Sequence, residues 1–92
     1  VETLVEGVAA TQLLHFAWYV EHGRFWISPE NLKWVEASLH LLRLFEARGG
    51  RRVVMAGTCA EYDFVDDRLY LSEASSPVGP KTLYGVSKLA LY

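Results

Sequence analysis

The sequence has little of several features that would point to particular classes of protein. A single cysteine, Cys59, excludes an internal disulfide and fits a reducing compartment, so we expect a cytoplasmic protein. The nine lysines and arginines are scattered and are outnumbered by eleven acidic residues, which argues against a nucleic-acid partner. No apolar run approaches the roughly 18 residues of a membrane span, and the first residues do not resemble a signal peptide. We therefore expect neither nucleic acid nor membrane as a partner.

The size of the chain limits what it can form alone. Its 92 residues make one small domain at most, or a piece of a larger one, and a domain of this size is marginally stable. Residues 1–6 have the pattern of a final helical turn, with Gly7 available as a left-handed stop, and no initiator methionine precedes them. We therefore expect residues 1–92 to be an internal fragment that is unstable or self-associating in isolation.

Apolar patterns predict a strand, a long helix and a second strand. Residues 11–18 form a short apolar run, typical of a strand that is buried on both faces of a parallel sheet. Ser28 and Pro29 predict the start of a helix that continues to about Arg48, where Gly49 and Gly50 predict its end. A second buried strand follows over residues 53–57. This order predicts parallel strands joined by a right-handed crossover, and hence an α/β fold.

A last helix is predicted from Leu83 onward, after a long irregular loop over residues 62–80. Tyr84 and Lys88 stand four residues apart in this helix, so they share one face. A phenol near an ammonium loses its proton more readily, and such a tyrosine can exchange protons near neutral pH. Taken alone, the pair has a plainer interpretation as a half-buried tyrosine beside a solvated lysine.

Thr58 strengthens the functional interpretation of this pair, because the apolar pattern places it at the end of the second strand. In open α/β sheets, ligands bind beyond the carboxyl ends of the strands. Ala17 and Trp18 lie at the corresponding end of the first strand, and Tyr84 follows the next loop on the same side. We therefore predict one crevice surrounded by Thr58, Tyr84 and Lys88.

Three linked segments resemble a known family: HFAW at 15–18, GTCAEYD at 57–63 and PKTLYGVSK at 80–88. In order and spacing they are similar to the His-Leu-Ala-Ala, Ser-Ser-x-x-Val-Tyr-Gly and Pro-x-x-x-Tyr-Gly-x-Ser-Lys segments of the extended short-chain dehydrogenase/reductases. This is the NAD-dependent epimerase/dehydratase family of nucleotide-sugar enzymes. The resemblance implies a partial Rossmann-type parallel sheet, made of a βαβ unit and the start of the helix that carries the catalytic tyrosine. The family's glycine loop would precede residue 1, and its substrate domain would follow Tyr92.

The resemblance also implies site residues. Tyr84 would be the catalytic acid/base, and Lys88 would hold the nicotinamide ribose and promote loss of the phenol proton. Thr58 would hydrogen-bond the reacting hydroxyl or carbonyl of the substrate. The residues that would bind the dinucleotide are Phe16, Ala17, Trp18, Tyr84 and Lys88. Trp18 replaces a small residue of the family, so its contact with the cofactor departs from the pattern.

The implied function is an NAD- or NADP-dependent epimerase or reductase of nucleotide sugars, with no metal and with a homodimer as the complete protein. The alternative is a non-catalytic fragment of the same fold that only binds a dinucleotide or a protein partner. The 4,6-dehydratases of the family have acid/base residues in the two positions after the threonine, where this chain has Cys59 and Ala60. Glu61 follows one residue later, and such a shift on a strand turns a side chain to the opposite face, so Glu61 is a poor substitute unless the strand has already ended. We therefore predict an epimerase or ketoreductase.

The remaining polar candidates have structural interpretations. No motif places a histidine beside Cys59, so we interpret it as a packed core thiol. His15 lies inside an apolar strand as a hydrogen-bonded structural histidine, and His40 lies on the polar face of the long helix. Glu73 is interpreted as part of the loop. Asn31 lies a few residues before the place of the family's cofactor-side asparagine, so that role is not transferred to it.

Overall fold

A computed structural model describes residues 2–63, 72–74 and 76–92. Along these residues the chain forms helix α1 (Glu2–Glu6), strand β1 (Gln12–His15), helix α2 (Glu30–Ala47), strand β2 (Arg52–Met55), a 3₁₀ turn (Cys59–Glu61) and helix α3 (Leu83–Ala90). The two predicted strands, the long helix between them and the final helix are all present. The α/β class is thus confirmed.

The two strands pair in parallel, with His15 opposite Met55 at their carboxyl ends. The pairing extends one step further, since the N–H of Ala56 donates to the carbonyl of His15 at 3.2 Å. Two parallel neighbours need a long crossover, and α2 provides it. Together these elements form the predicted partial Rossmann-type sheet.

The strands are shorter and more exposed than their apolar sequences predict. Leu14 in β1 is 65% exposed and Val54 in β2 is 45% exposed, while Phe45 is the only buried hydrophobic residue in the described part of the chain. Among the described elements, α2 contacts the face of β1 that carries His15, whose ring meets Ser38 of α2. Leu14 points to the opposite face because side chains alternate along a strand. The prediction of burial on both faces is therefore wrong.

Helix α2 begins and ends close to the predicted positions. The Oγ atom of Ser28 accepts a hydrogen bond from the N–H of Glu30 at 3.2 Å, so this serine satisfies one of the free donors of the first turn. After the helix ends, Gly49 adopts φ 88°, the left-handed conformation that favours glycine. The predicted glycine stop of this helix is thus confirmed, whereas Pro29 is the N-cap and the helix begins one residue later than predicted, at Glu30.

Helix α1 ends differently from the prediction. Gly7 does not have a positive φ. Among the described residues, only Gly23 and Gly49 do. Instead, the N–H of Val8 donates to the carbonyl of Val5 at 3.2 Å, which closes the last turn. The helix at residues 2–6 is present, but its left-handed glycine stop is wrong.

The segment between the 3₁₀ turn and α3 is closed at its base. Tyr62 forms an isolated antiparallel bridge with Val78, and the N–H of Asp63 donates to the carbonyl of Pro77 at 3.0 Å. These contacts bring the end of the segment back to its beginning, directly before α3. The turns predicted at residues 66–67 and at residue 75 lie outside the described residues.

Candidate active site

The candidate site lies at the carboxyl ends of the two parallel strands. The connection between β1 and α2, residues 16–29, begins with Phe16, Ala17 and Trp18. Beyond β2, Thr58 follows Met55 after two intervening residues, so it does not end the strand as predicted. The shift arises because β1 stops at His15 and leaves β2 without a pairing partner beyond Ala56. Thr58 nevertheless lies beyond the sheet edge where ligands of α/β proteins bind.

Thr58 is the N-cap of the 3₁₀ turn. Its Oγ1 atom accepts a hydrogen bond from the N–H of Ala60 at 3.2 Å. In return, the carboxylate of Glu61 accepts a hydrogen bond from the N–H of Thr58 at 2.5 Å. These reciprocal contacts form a capping box, which fixes the orientation of the threonine. Among the described residues, the Thr58 oxygen serves only as an acceptor in the turn, which leaves its hydroxyl proton for donation.

Lys88 is buried, with 8% of its surface exposed, and its Nζ atom lies 4.6 Å from the centre of the Trp18 ring. Apart from this ring, the described residues offer its ammonium no hydrogen-bond or ion-pair partner. Burial lowers the pKa of Lys88, and the negative charge of Glu61 acts in the opposite direction. The result is a partly desolvated cation whose N–H donors are available to a ligand.

Trp18 is held in place from its other side. Its Nε1–H donates to the Oδ1 atom of Asn31 at 2.8 Å, and its ring packs against Trp34 with 6.1 Å between the ring centres. The bulky side chain at this position therefore supports Lys88. The two residues before Trp18 are more accessible, since Phe16 is 63% exposed and Ala17 is also exposed.

Tyr84 lies one helical turn before Lys88 on α3. Its ring meets Phe25 and Trp26 edge-on, with ring centres 4.8 Å and 5.6 Å away, and its N–H donates to the carbonyl of Trp26 at 3.1 Å. Lys88 contacts Trp18 in the same connection. Both side chains therefore face the connection between β1 and α2, which places them on one face of α3.

A cavity of about 630 Å³ opens at this edge of the sheet. Thr58, Glu61 and Lys88 are among the residues that line it, whereas Tyr84 is not. The structure thus brings two of the three predicted site residues to one cavity. The third packs its ring against the aromatic side chains of the connection.

Glu61 reaches the cavity, which the sequence interpretation allowed only if the strand ended before this residue. It is 7% exposed, it bonds to the N–H of Thr58, and it lines the same cavity as Lys88. The sequence turns Glu61 away from Thr58 only if the strand continues to residue 61, but β2 ends at Met55 and the 3₁₀ turn brings the carboxylate back towards Thr58. The signal that locates this residue was present, because Thr-x-x-Glu is a capping-box pattern.

Asn31, which received no role from the sequence, organises the connection between β1 and α2. It has no exposed surface, and its Nδ2 atom donates to the carbonyls of Phe25 at 2.6 Å and Ser28 at 3.0 Å. Its Oδ1 atom accepts the hydrogen bond from Trp18. Through these three bonds it holds Trp18 beneath Lys88.

The other polar candidates divide between confirmed and corrected predictions. His15 is a buried structural histidine, as predicted, with its Nε2 atom 2.8 Å from the Oγ atom of Ser38. Burial lowers the pKa of His15, and the positive charge of Lys88 lowers it further.

Cys59 is exposed and lines the cavity, so the prediction of a packed thiol is wrong. Its position in the turn, after the strand has ended, removes it from the core. Glu73 also lines the cavity.

Two kinds of feature are absent from residues 2–63, 72–74 and 76–92. No group of three or more His, Cys, Asp or Glu side chains there is arranged to hold a metal ion. No helix in those ranges has the length and apolarity needed to cross a membrane.

The parallel βαβ unit, with its site at the carboxyl edge and a tyrosine–lysine pair on the following helix, defines a partial Rossmann-type fold. The model of the NAD dependent epimerase/dehydratase family matches residues 1–92, which is the whole chain. The chain belongs to this family, and the resemblance found in its sequence motifs is confirmed. Comparisons with curated proteins and with solved structures gave no significant match.

Proposed function

We propose that this chain carries catalytic residues of an NAD(P)-dependent epimerase or reductase that acts on a nucleotide sugar. The observation that carries the proposal is the buried ammonium of Lys88. It rests on Trp18, lies one helical turn from Tyr84, and opens with Thr58 onto a cavity at the sheet edge. Membership of an NAD-dependent family supports the same conclusion.

The residues at this edge fit a nicotinamide dinucleotide. The N–H donors of Lys88 are suited to the paired hydroxyl oxygens of a ribose, because the described part of the chain leaves them without an acceptor. Phe16 and Ala17 are exposed directly after β1, where a dinucleotide crosses the edge of such a sheet. The nicotinamide, when bound, supplies the hydride chemistry. The cofactor in this proposal is NAD or NADP.

The side chains of the protein carry out the proton transfer in this proposal. In the proposed reaction, the Tyr84 oxygen in its phenolate form takes the proton from a sugar hydroxyl, while the carbon that bears this hydroxyl would give its hydride to the oxidised nicotinamide. In the reverse step the phenol returns the proton. Thr58 donates its hydroxyl proton to the same sugar oxygen, since the turn uses the threonine oxygen only as an acceptor. Lys88 binds the ribose and orients the cofactor towards the reacting carbon.

Hydride transfer without elimination is the reaction type that these residues support. Elimination of water needs an additional acid/base group to remove a proton from carbon. Ala60 cannot move a proton, Cys59 is an exposed thiol, and the Oε2 atom of Glu61 is already hydrogen-bonded to a backbone N–H. We therefore propose an epimerase or ketoreductase rather than a dehydratase.

The proposal is tested by Tyr84→Phe in the complete protein that contains this chain. The change removes the transferable proton and retains the ring that packs on Phe25 and Trp26. We expect turnover of nucleotide hexoses to fall by roughly 10²- to 10⁴-fold, with NAD(P) affinity retained. Tyr19→Phe is the matched control, because the Tyr19 hydroxyl bonds to Glu21 in the connection and lies outside the site.

Each outcome of this experiment has a distinct meaning. Wild-type turnover in the Tyr84→Phe variant would remove the phenol from the mechanism. A wild-type protein that binds NAD(P) but converts no nucleotide sugar would support the non-catalytic alternative. Absence of NAD(P) binding would refute the catalytic proposal and the dinucleotide-binding form of the alternative, and would leave only binding to a protein partner.

A further inference from the structure

We infer that Glu61 is a positioning residue of this site, which holds Thr58 in its turn and balances the charge of Lys88. The inference deepens the proposed function and rests on it, because Thr58 and Lys88 are the groups assigned to the substrate and the cofactor. Glu61 has no assigned contact with the substrate or the cofactor. It acts through the two residues beside it.

The geometry links Glu61 firmly to Thr58. The Oε2 atom accepts the N–H of Thr58 at 2.5 Å, and it lies so close to Gly57 that a Cβ there would be 3.0 Å away. The backbone is fixed too, because the carbonyl of Glu61 accepts the N–H of Gly79 at 3.1 Å. With its main chain and carboxylate both engaged and 7% of its surface exposed, the side chain has little freedom to move away.

The link to Lys88 is electrostatic. The two side chains line one cavity without forming an ion pair, and the charge of Glu61 opposes the effect of burial on the pKa of Lys88. Other titratable groups lie near this lysine or line the same cavity. They are His15 from β1, together with Cys59, Tyr62, Glu73 and Tyr92 around the cavity. Glu61 is the carboxylate whose charge acts on Lys88, so it keeps the buried amine protonated to higher pH.

Two substitutions separate the hydrogen bond from the charge. Glu61→Gln keeps an oxygen that can accept the Thr58 N–H, since glutamine also closes capping boxes, but it removes the charge. Glu61→Leu fills a similar volume and removes both. Glu36→Gln, on the exposed side of α2, is the control for the loss of one carboxylate.

The first measurement is hydrogen exchange at the Thr58 amide, which reports on the turn whether or not the protein is an enzyme. We expect exchange to accelerate by about tenfold or more in Glu61→Leu and to stay near the wild-type rate in Glu61→Gln, because only leucine removes the acceptor. If the Thr58 amide of Glu61→Leu exchanged as slowly as in the wild type, the hydrogen-bond role of Glu61 would be refuted. If leucine prevents folding, Glu61→Ala takes its place, because alanine also lacks the acceptor, and wild-type protection of the Thr58 amide in that variant would refute the hydrogen-bond role.

The second measurement is the pH dependence of NAD(P) affinity and of kcat/KM. We expect the alkaline loss of cofactor affinity in Glu61→Gln to move to lower pH by about half a unit or more, because the lost charge stabilised the ammonium. We expect kcat/KM at neutral pH to fall by about 10²-fold in Glu61→Leu, since Thr58 is then misplaced. An unshifted profile in Glu61→Gln would overturn the charge role. A wild-type protein without cofactor binding or turnover would instead refute the proposed function, and the exchange result would still decide the link to Thr58.

Discussion

The hydrogen bonds of Asn31 provide the sharpest test of how the site is supported. Asn31→Leu replaces the side chain by one of similar size and removes its contacts with Trp18, Phe25 and Ser28. The Ser28 carbonyl keeps a partner in the backbone N–H of Asn31, whereas Trp18 Nε1 and the Phe25 carbonyl lose the partner described here. The variant should therefore loosen the connection that carries Trp18.

The size of the effect follows from the number of bonds. A hydrogen bond contributes about 1 kcal/mol net, and a buried group left without its partner costs about 1–3 kcal/mol. Three bonds at a position with no exposed surface thus correspond to about 3 kcal/mol. That difference raises the population of an opened connection by about 10²-fold, because each 1.4 kcal/mol is a factor of ten.

Asn31→Asp makes the test more specific than the leucine change. Aspartate keeps an acceptor for Trp18 but places its second oxygen against the carbonyls of Phe25 and Ser28, where no donor remains. A buried carboxylate that faces other acceptors is strongly unfavourable. We therefore expect this near-isosteric change to be at least as disruptive as Asn31→Leu.

Hydrogen exchange over residues 18–28 of the complete protein measures the opening directly. Both Asn31 variants should exchange about 10²-fold faster there than the wild type, while Lys33→Ala should not, because Lys33 makes only an exposed ion pair with Glu30 on the same helix. Wild-type protection in Asn31→Asp would refute the argument, since the described hydrogen bonds would then contribute nothing.

Two further expectations concern stability and product. Because the pKa of His15 is lowered from 6.5 in the folded chain, the unfolded state binds more protons as the pH falls through 6.5, so the free energy of unfolding should decrease on acidification. Urea titrations should show a flatter pH dependence for His15→Gln than for the wild type or for the exposed control His22→Gln, and equal slopes would contradict the assignment. Given nucleotide hexoses, the complete protein should form no 4-keto-6-deoxy sugar. Efficient formation that Glu61→Gln abolishes would instead make Glu61 a catalytic acid/base.

The order of the strands and helices was predictable because it depends on local sequence signals. The serine at residue 28 and the glycine at residue 49 bound α2 as their chemistry predicts, and two apolar runs flank it. Strand length was not predictable from the same runs. β2 stops pairing where β1 stops, so its end is set by a partner some 40 residues earlier in the sequence and not by its own apolar pattern. For this reason Thr58 lies beyond the end of β2, although the apolar pattern placed it at the strand end.

The site was predictable only where one helix determines it. Four-residue spacing places Tyr84 and Lys88 on one face of α3 regardless of the rest of the chain. The burial of Lys88 depends on Trp18, which a different segment supplies and which Asn31 orients. Such a contact requires the tertiary structure, so the plain expectation of a solvated lysine fails.

Glu61 shows how a family resemblance and a strand pattern can both misplace a residue. The resemblance aligns it with an apolar valine, and strand alternation turns it away from Thr58. The capping-box pattern predicts the opposite, because a carboxylate three residues after a threonine can return to the threonine N–H once the chain leaves the strand. Thr58 itself is extended, with φ −148° and ψ 148°, and the turn begins at the next residue. The carboxylate that closes this turn also lines the cavity with Lys88, so the one side chain that departs from the valine of the family segment both holds Thr58 and acts electrostatically on Lys88.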